Sequence, residues 1–397
     1  MAMKILWHSN APWAATGYGK QTNLFVWRLK KLGHEMIVSA FYGLNGAILE
    51  MGGVKILPAS KDGYGNDILM AHRQFHRVDI IIGLLDIWVL KPELIQSLDC
   101  FYGWTPVDHE PIPPAVLNNI KKSAGVIVFS QYAVDELARN GVSCHYVPHG
   151  VDDEMYVLRD RKEMRRKLGL PEDYFIAGMV AANKGMPSRK AFDEQITAFG
   201  RFHQRHPKSL LYLHTDLQGF QGEDLLRLVE LAGLSHNDVV LCPQYQYVAG
   251  MFNEDHMSYV YNTLDVLLNA SRGEGFGIPI IEAQFCGTPV IVTDYTAMRY
   301  LCYTGWKVPV VGKIVTPQGA YMAVPSIDGI DQALEQAFTA QFDRQEIRSQ
   351  VLDFSVDNVV AKYWQPVLEK IEAERKVKQQ ELAPIVIMGK KANDGQS

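Results

Sequence analysis

The chain reads as an α/β protein of two successive units, each a parallel sheet with helices between its strands, facing each other across a cleft. Three observations predict this. Apolar runs of strand length alternate with helical stretches almost throughout, the signature of βαβ units. The rhythm stops at a charged segment, RDRKEMRRKLGLPED (159–173), and then starts again. Finally, 397 residues, 47% of them hydrophobic and 21% charged, exceed what one ordinary core holds.

The first series opens with KILWHS (4–9), a glycine turn and an amphipathic stretch at 20–32 that ends at Gly33. HEMIVSAF, VKILPA, VDIIIGLL, CFYGWTP and GVIVFS continue it, and CHYVPHGVDD (144–153) closes it. The second runs from the strand YFIAGMVAAN (174–183) through a helix at 191–206, SLLYLHTD, a helix at 222–233, DVVLCPQ, a helix at 256–263, DVLLNAS, a helix at 279–286 and TPVIVTD. NVVAKYWQPVLEKIEAERK (358–376) predicts one long helix. The expected domains are residues 1–170, with a crossover helix at about 356–375 returning to them, and residues 171–355. Residues 376–397, charged and then polar, are expected to fray.

Composition removes several function classes. A net charge of −5 gives no whole-chain attraction to nucleic acid or anionic membrane. Five cysteines (100, 144, 242, 286, 302) never stand in C-x-x-C spacing, which argues against a disulfide framework or a cysteine zinc site and fits a reducing compartment. MAMKILWHSNAP turns polar too early for a signal peptide, and no apolar run reaches the roughly 20 residues of a membrane span. A cytoplasmic protein is expected. No H-E-x-x-H or similar pattern points to a metal.

Three stretches could carry chemistry. TGYGKQT (16–22) follows the first strand and opens a helix, but it has Thr22 where a G-x-G-x-x-G motif needs glycine. Gln21 likewise interrupts a Walker A reading after Lys20. Gly17 and Gly19 still allow close backbone approach, and a helix N-terminus offers N–H groups to an anion. WTPVDHEPIPP (104–114) is a proline-rich loop at a strand end. SRGEGFGIPIIEAQFCGTPVIVTD (271–294) follows the strand DVLLNAS and so belongs at the cleft edge. In it Gly275 and Gly277 loosen the turn, Pro279 suits a first helical turn, and Glu274 and Glu282 stand eight residues apart on one rim. Carboxylates accept hydrogen bonds from adjacent sugar hydroxyls, while a helix N-terminus favours phosphate.

This last stretch, with its E-x7-E spacing, resembles the donor-binding signature of family 4 glycosyltransferases, retaining enzymes of GT-B fold with two facing Rossmann-like domains. SQYAVDELARNGVSCHYVPHGVD (130–152), VAANKGMPSRKAFDEQITAF (180–199) and MSYVYNTLDVLLNAS (257–271) agree with the family in order and spacing, GYGKQT and LGHEMIVSAF more loosely. The resemblance covers about residues 4–370. It implies transfer of a sugar from a nucleotide diphosphate sugar, UDP- or GDP-linked, without a cofactor or required metal. Glu282 would hold the donor ribose and Glu274 the donor sugar. Arg189 and Lys190, with Gly17, Gly19, Gly275, Phe276, Gly277 and Ile278, would hold the diphosphate. An apparent insertion, GMPS, before the basic pair leaves open which cation meets which phosphate oxygen. His109 or Asp108 would stand beside the reacting sugar carbon, His109 being favoured. The acceptor (glycan, lipid, small molecule or modified DNA) and the oligomeric state stay open. The basic run at 159–169 and Lys121-Lys122 keep a polyanion in play. A nucleotide-sugar epimerase and a non-catalytic nucleotide-sugar-binding protein are the alternatives.

Overall fold

The computed structural model describes residues 2–382 apart from 218 and 220. In the first half, β1 (Lys4–Asn10), β2 (Glu35–Tyr42), β3 (Leu49–Met51), β4 (Val54–Leu57), β5 (Ile80–Leu84), β6 (Phe101–Thr105), β7 (Gly125–Val128) and β8 (His145–Tyr146) form one sheet. Its order is β3-β4-β2-β1-β5-β6-β7-β8, and every pairing is parallel except β3 against β4. The second half carries β9 (Phe175–Val180), β10 (Ser209–His214), β11 (Val239–Leu241), β12 (Val266–Asn269), β13 (Val290–Thr293) and β14 (Gly305–Val308) in the all-parallel order β11-β10-β9-β12-β13-β14. The central strands of both sheets are buried along nearly their whole length because helices cover both faces, so they read as apolar runs rather than alternations.

In each sheet the order reverses beside the first strand of the unit, between β1 and β5 and between β9 and β12. The loops leaving the carboxyl ends there diverge and open a crevice. The two crevices face each other.

Three features depart from expectation. A two-stranded antiparallel hairpin, β15 (Val310–Val315) and β16 (Tyr321–Pro325), follows the second sheet and pairs Tyr321 with Glu110 of the first half. The long helix expected at 358–376 is interrupted. Val356–Val359 and Gln365–Leu382 are helical, and a wider turn joins them at Val360–Trp364. That turn delivers Trp364, fully buried, into the first half's core, where its ring centroid lies 4.9 Å from Trp104 and 5.6 Å from Trp7. The last helix runs past 375 to Leu382, and residues 383–397 of the expected tail lie outside the described residues.

The basic run at 159–169 proves to be occupied. Arg159 pairs with Asp255 at 2.7 Å, Arg161 and Arg165 with Asp265 at 2.9 and 2.7 Å, Arg166 with Glu172 at 3.0 Å and Lys167 with Glu163 at 3.0 Å. Among the described residues no helix is long and apolar enough to cross a membrane.

Trp364 joins the returning C-terminal segment to Trp7, Trp104 and Phe25. Trp364→Ala should therefore destabilise the protein by about 3–5 kcal/mol, the usual cost of emptying a large aromatic site. Urea unfolding checks this, and a loss below about 1 kcal/mol would show that the segment is not anchored there.

Candidate active site

A cleft of about 880 Å³ lies between the halves, lined by the loops after β1, β5, β6, β9 and β12 and by the start of the helix Ile278–Phe285. That helix begins at Gly277, whose φ of 112° lies in the region glycine tolerates, and no side chain caps its N-terminus. Pro279 occupies its first turn, as its missing N–H permits. With Pro279 lacking an N–H and Ile280 donating to the Gly277 carbonyl at 2.9 Å, the Gly277 and Ile278 amides are the first-turn donors left for the cleft.

Glu274, 5% exposed, sits between two cations from the opposite wall of the same crevice. Its Oε2 accepts from Arg189 at 2.7 Å and its Oε1 from Lys190 at 2.5 Å. Burial opposes its ionisation, but Arg189 and Lys190 outweigh burial and hold its pKa near 2, well below the ordinary 4.5. Burial pulls the Lys190 pKa down, while Glu274 and Asp108 more than offset it for Arg189, which stays charged. The Arg189 guanidinium also donates to the Gly273 carbonyl.

The cation pair is aimed by its surroundings. Ala191, directly after it, has a φ of 51°, an uncommon and strained conformation for a residue with a Cβ. Arg272, 3% exposed, donates its backbone N–H to the Arg189 carbonyl (2.8 Å) and its Nε to the Ser188 carbonyl (3.1 Å). Asp193 and Glu194 hold its far end at 2.8 and 2.9 Å. Glu223 accepts from the Ser188 N–H at 2.8 Å.

Glu282 lies about one turn into the helix Ile278–Phe285 on the same rim, also 5% exposed. Tyr261 donates to its Oε2 at 2.7 Å, and Lys20, from the first half, pairs with its Oε1. Lys20 also donates to the Tyr156 hydroxyl at 2.6 Å. One bridge across the cleft therefore fixes this carboxylate.

Asp108 and His109 are held together at 2.6 Å through His109 Nδ1, but they are not equivalent. Asp108 lines the cleft, and His109 stands behind it with its backbone carbonyl accepting from Tyr132 at 2.7 Å. Burial opposes ionisation of Asp108, and His109 and Arg189 overcome it, so its pKa falls. Asp86, at the end of β5, also lines the cleft, and burial beside Asp108 raises it to about 6.

The glycines divide as well. Gly17 lines the cleft, whereas Gly19 does not. A Cβ on Gly19 would meet the Ala14 carbonyl at 2.3 Å, so that glycine serves the packing of its own turn. Gly275 lines the cleft with Phe276, Gly277 and Ile278, and a Cβ on it would strike Pro106 at 2.4 Å. One on Gly273 would strike the Asp108 carbonyl at 2.4 Å. These two glycines let the loop after β12 pack directly on the loop after β6.

Four side chains join the site that the sequence patterns did not single out: Lys20, Asp86, Arg272 and Tyr261. Only Lys20 carried a signal. A cation in the first turn of a helix opposes the dipole unless something else needs it there, which is the same anomaly that marks Arg189 and Lys190. Asp86 and Arg272 look like ordinary loop residues until the chain is folded.

Comparison with known proteins matches this arrangement. The family described as glycosyl transferases group 1 matches residues 177–324, the segment that contains both acids and both cations. Solved structures align over nearly the whole chain. Sucrose-phosphate synthase from Thermosynechococcus elongatus superposes with a TM-score of 0.66 at 17% identity, covering 95% of this chain and all of that one. The fold is GT-B. Alr3699/HepE of Anabaena, solved in complex with UDP-glucose, aligns with a TM-score of 0.64 at 15% identity over 92% of this chain and all of its own. In sequence, the D-inositol 3-phosphate glycosyltransferase of Actinosynnema mirum is 33% identical over 153 residues, 36% of this chain and 34% of that protein. The serotype-specific mannosyltransferase WbdA of Escherichia coli is 24% identical over 195 residues, 48% of this chain and 20% of its own length. The matches thus span a fifth to a third of these relatives.

Because the folded-state pKa of Glu274 lies below the ordinary value, its ionisation stabilises the protein fully above pH 4.5, and that stability is lost as pH falls towards 2. Glu274→Gln leaves Arg189 and Lys190 unpartnered. The variant should be less stable than wild type at pH 7, and the gap should narrow as the pH drops below 4.5. Urea melts at pH 7, 4.5 and 3 measure it, and a constant gap would contradict the ion triad.

Proposed function

We propose that this protein is a retaining, metal-independent glycosyltransferase that moves a sugar from a nucleotide diphosphate sugar to an acceptor hydroxyl. One observation carries the reading. Arg189 and Lys190 converge on Glu274 beside the uncapped N-terminus of the helix Ile278–Phe285, with Glu282 on the same rim. Two cations and a helix N-terminus suit a diphosphate, and two carboxylates suit pairs of sugar hydroxyls. The group 1 glycosyltransferase match over 177–324 and the UDP-glucose in the Anabaena structure support it.

In this reading the barrier is the departure of a charged diphosphate from an oxocarbenium-like centre. Arg189, Lys190 and the helix amides stabilise the charge that develops on the leaving group, the role in which preorganised donors contribute most. Until a donor arrives, Glu274 keeps the two cations ionised and in place. With a donor bound it shares them and accepts from the sugar hydroxyls, while Glu282, held by Tyr261 and Lys20, accepts from the ribose. Asp108 stands nearest the anomeric carbon, and His109 orients it from behind. The departing phosphate oxygen takes the acceptor proton on the same face, so no separate base is required. The closed packing of Gly273 and Gly275 against residues 106–108 limits water at the reacting carbon. Five free cysteines accord with action in the cytoplasm.

Arg189→Ala should lower kcat/KM by about 100-fold or more, in line with removing one preorganised donor. Glu282→Ala should weaken donor binding most strongly. Calorimetric titration and a transfer assay over UDP-, GDP- and ADP-sugars read both effects. If nucleotide-sugar binding and transfer survive both substitutions intact, the donor site lies elsewhere.

A further inference from the structure

The carboxyl edge of the first sheet carries a row of exposed aromatic rings. Trp13 follows β1, Tyr42 ends β2, Tyr64 follows β4 and Trp88 follows β5. These four strands are neighbours in the order β4-β2-β1-β5, so the four rings leave one continuous edge, the one that opens on the cleft. They are 42%, 57%, 46% and 48% exposed, respectively. The Trp13 ring and the loops carrying Tyr64 and Trp88 are tied down. Trp13 Nε1 donates to the Gly43 carbonyl at 2.7 Å, and Asn66 bridges the Tyr64 loop to the Trp88 turn through the Val89 carbonyl (3.2 Å) and the Lys91 N–H (2.7 Å). Trp13 itself lines the cleft, so the row is continuous with the reaction site.

The charges on this wall point to the ligand's chemistry. Among the described side chains that line the cleft, the first half contributes two carboxylates, Asp86 and Asp108, and one cation, Lys20, which Glu282 holds. Burial, with Asp108 close by, raises the Asp86 carboxyl to about 6, and the Tyr18 hydroxyl is its hydrogen-bond partner. An incoming phosphate would meet like charge here. The basic segments that would have welcomed a polyanion lie elsewhere. In the 159–169 run Arg159, Arg161 and Arg165 are paired with Asp255 and Asp265, and Lys121 and Lys122 end the helix Pro114–Lys122, whose start, not its end, lies at the carboxyl edge.

We propose that this edge is the acceptor subsite, and that it takes an uncharged saccharide stacked on the aromatic rings with one hydroxyl directed to Asp86. Indole and phenol rings offer large, rigid, amphipathic faces that suit the C–H face of a sugar, and a carboxylate accepts from its hydroxyls. The inference rests on the glycosyltransferase reading, and the test separates the two.

The wild-type protein is first assayed for hydrolysis of UDP-, GDP- and ADP-sugars. The best donor is then offered methyl α-mannoside, maltose and lactose in one set, phosphatidylinositol vesicles in a second, and duplex DNA carrying hydroxymethylcytosine in a third. Transfer to a neutral glycoside is expected. Trp88→Ala and Tyr64→Ala should raise the acceptor KM at least fivefold with the donor KM unchanged, and Trp88→Phe should restore much of the loss. Asp86→Asn should lower acceptor kcat/KM by tenfold or more. Transfer to the vesicles or the DNA but to no neutral glycoside, or acceptor KM values unmoved by both aromatic substitutions, would overturn the inference and leave the donor reading standing. Absence of any donor turnover would defeat the donor reading and this inference with it.

Discussion

The ion triad of Glu274, Arg189 and Lys190 is the constraint around which the cleft is organised. It joins the loop after β9 to the loop after β12 across the crevice where the sheet order reverses, with Glu274 almost wholly withdrawn from water, Lys190 largely so and Arg189 half-buried. Desolvating them is expensive, and buried ion pairs are often no better for stability than apolar replacements. The arrangement is understandable as a charge store for a ligand. Arg272 and its acidic partners fix the position of the two cations, and the strained Ala191 turns the chain sharply after them. Removal of one partner exposes the others to an uncompensated low-dielectric setting, which is why so many polar residues converge on so short a segment.

The two halves meet through small residues and a few salt links, among them Lys20–Glu282 and Lys313–Glu110. Gly273 and Gly275 permit backbone-close packing on the loop after β6, and Lys20 reaches across to Glu282. The hairpin of β15 and β16 adds a second tie through Tyr321 and Glu110, and Trp364 anchors the returning chain in the first core. These contacts place Asp108 over the triad. His109, the next residue, stays behind Asp108 and touches it at 2.6 Å without lining the cleft.

Much of this was legible in the sequence. Strands buried on both faces are long apolar runs, so stretches such as VDIIIGLL or DVLLNAS suffice to place them, and the break at 159–173 marks the restart of the second sheet. Local pattern failed where tertiary contacts decide. The hairpin at 310–325 alternates weakly and is half exposed, and the wide turn at 360–364 exists because Trp364 must reach the core. In the site, Glu274, Glu282, Arg189 and Lys190 could be chosen from spacing and resemblance. Asp86, Arg272 and Tyr261 could not, because only the fold brings them to the cleft, and Gly19 looks like a ligand-facing glycine until its neighbour Ala14 is seen beside it.

A structure of the protein with a nucleotide sugar bound tests the central claim most directly. The account predicts the diphosphate against Arg189, Lys190 and the backbone amides of Gly277 and Ile278, with the ribose hydroxyls on Glu282 and the sugar hydroxyls reaching Glu274. A nucleotide lodged elsewhere, with the triad closed and untouched, would contradict it.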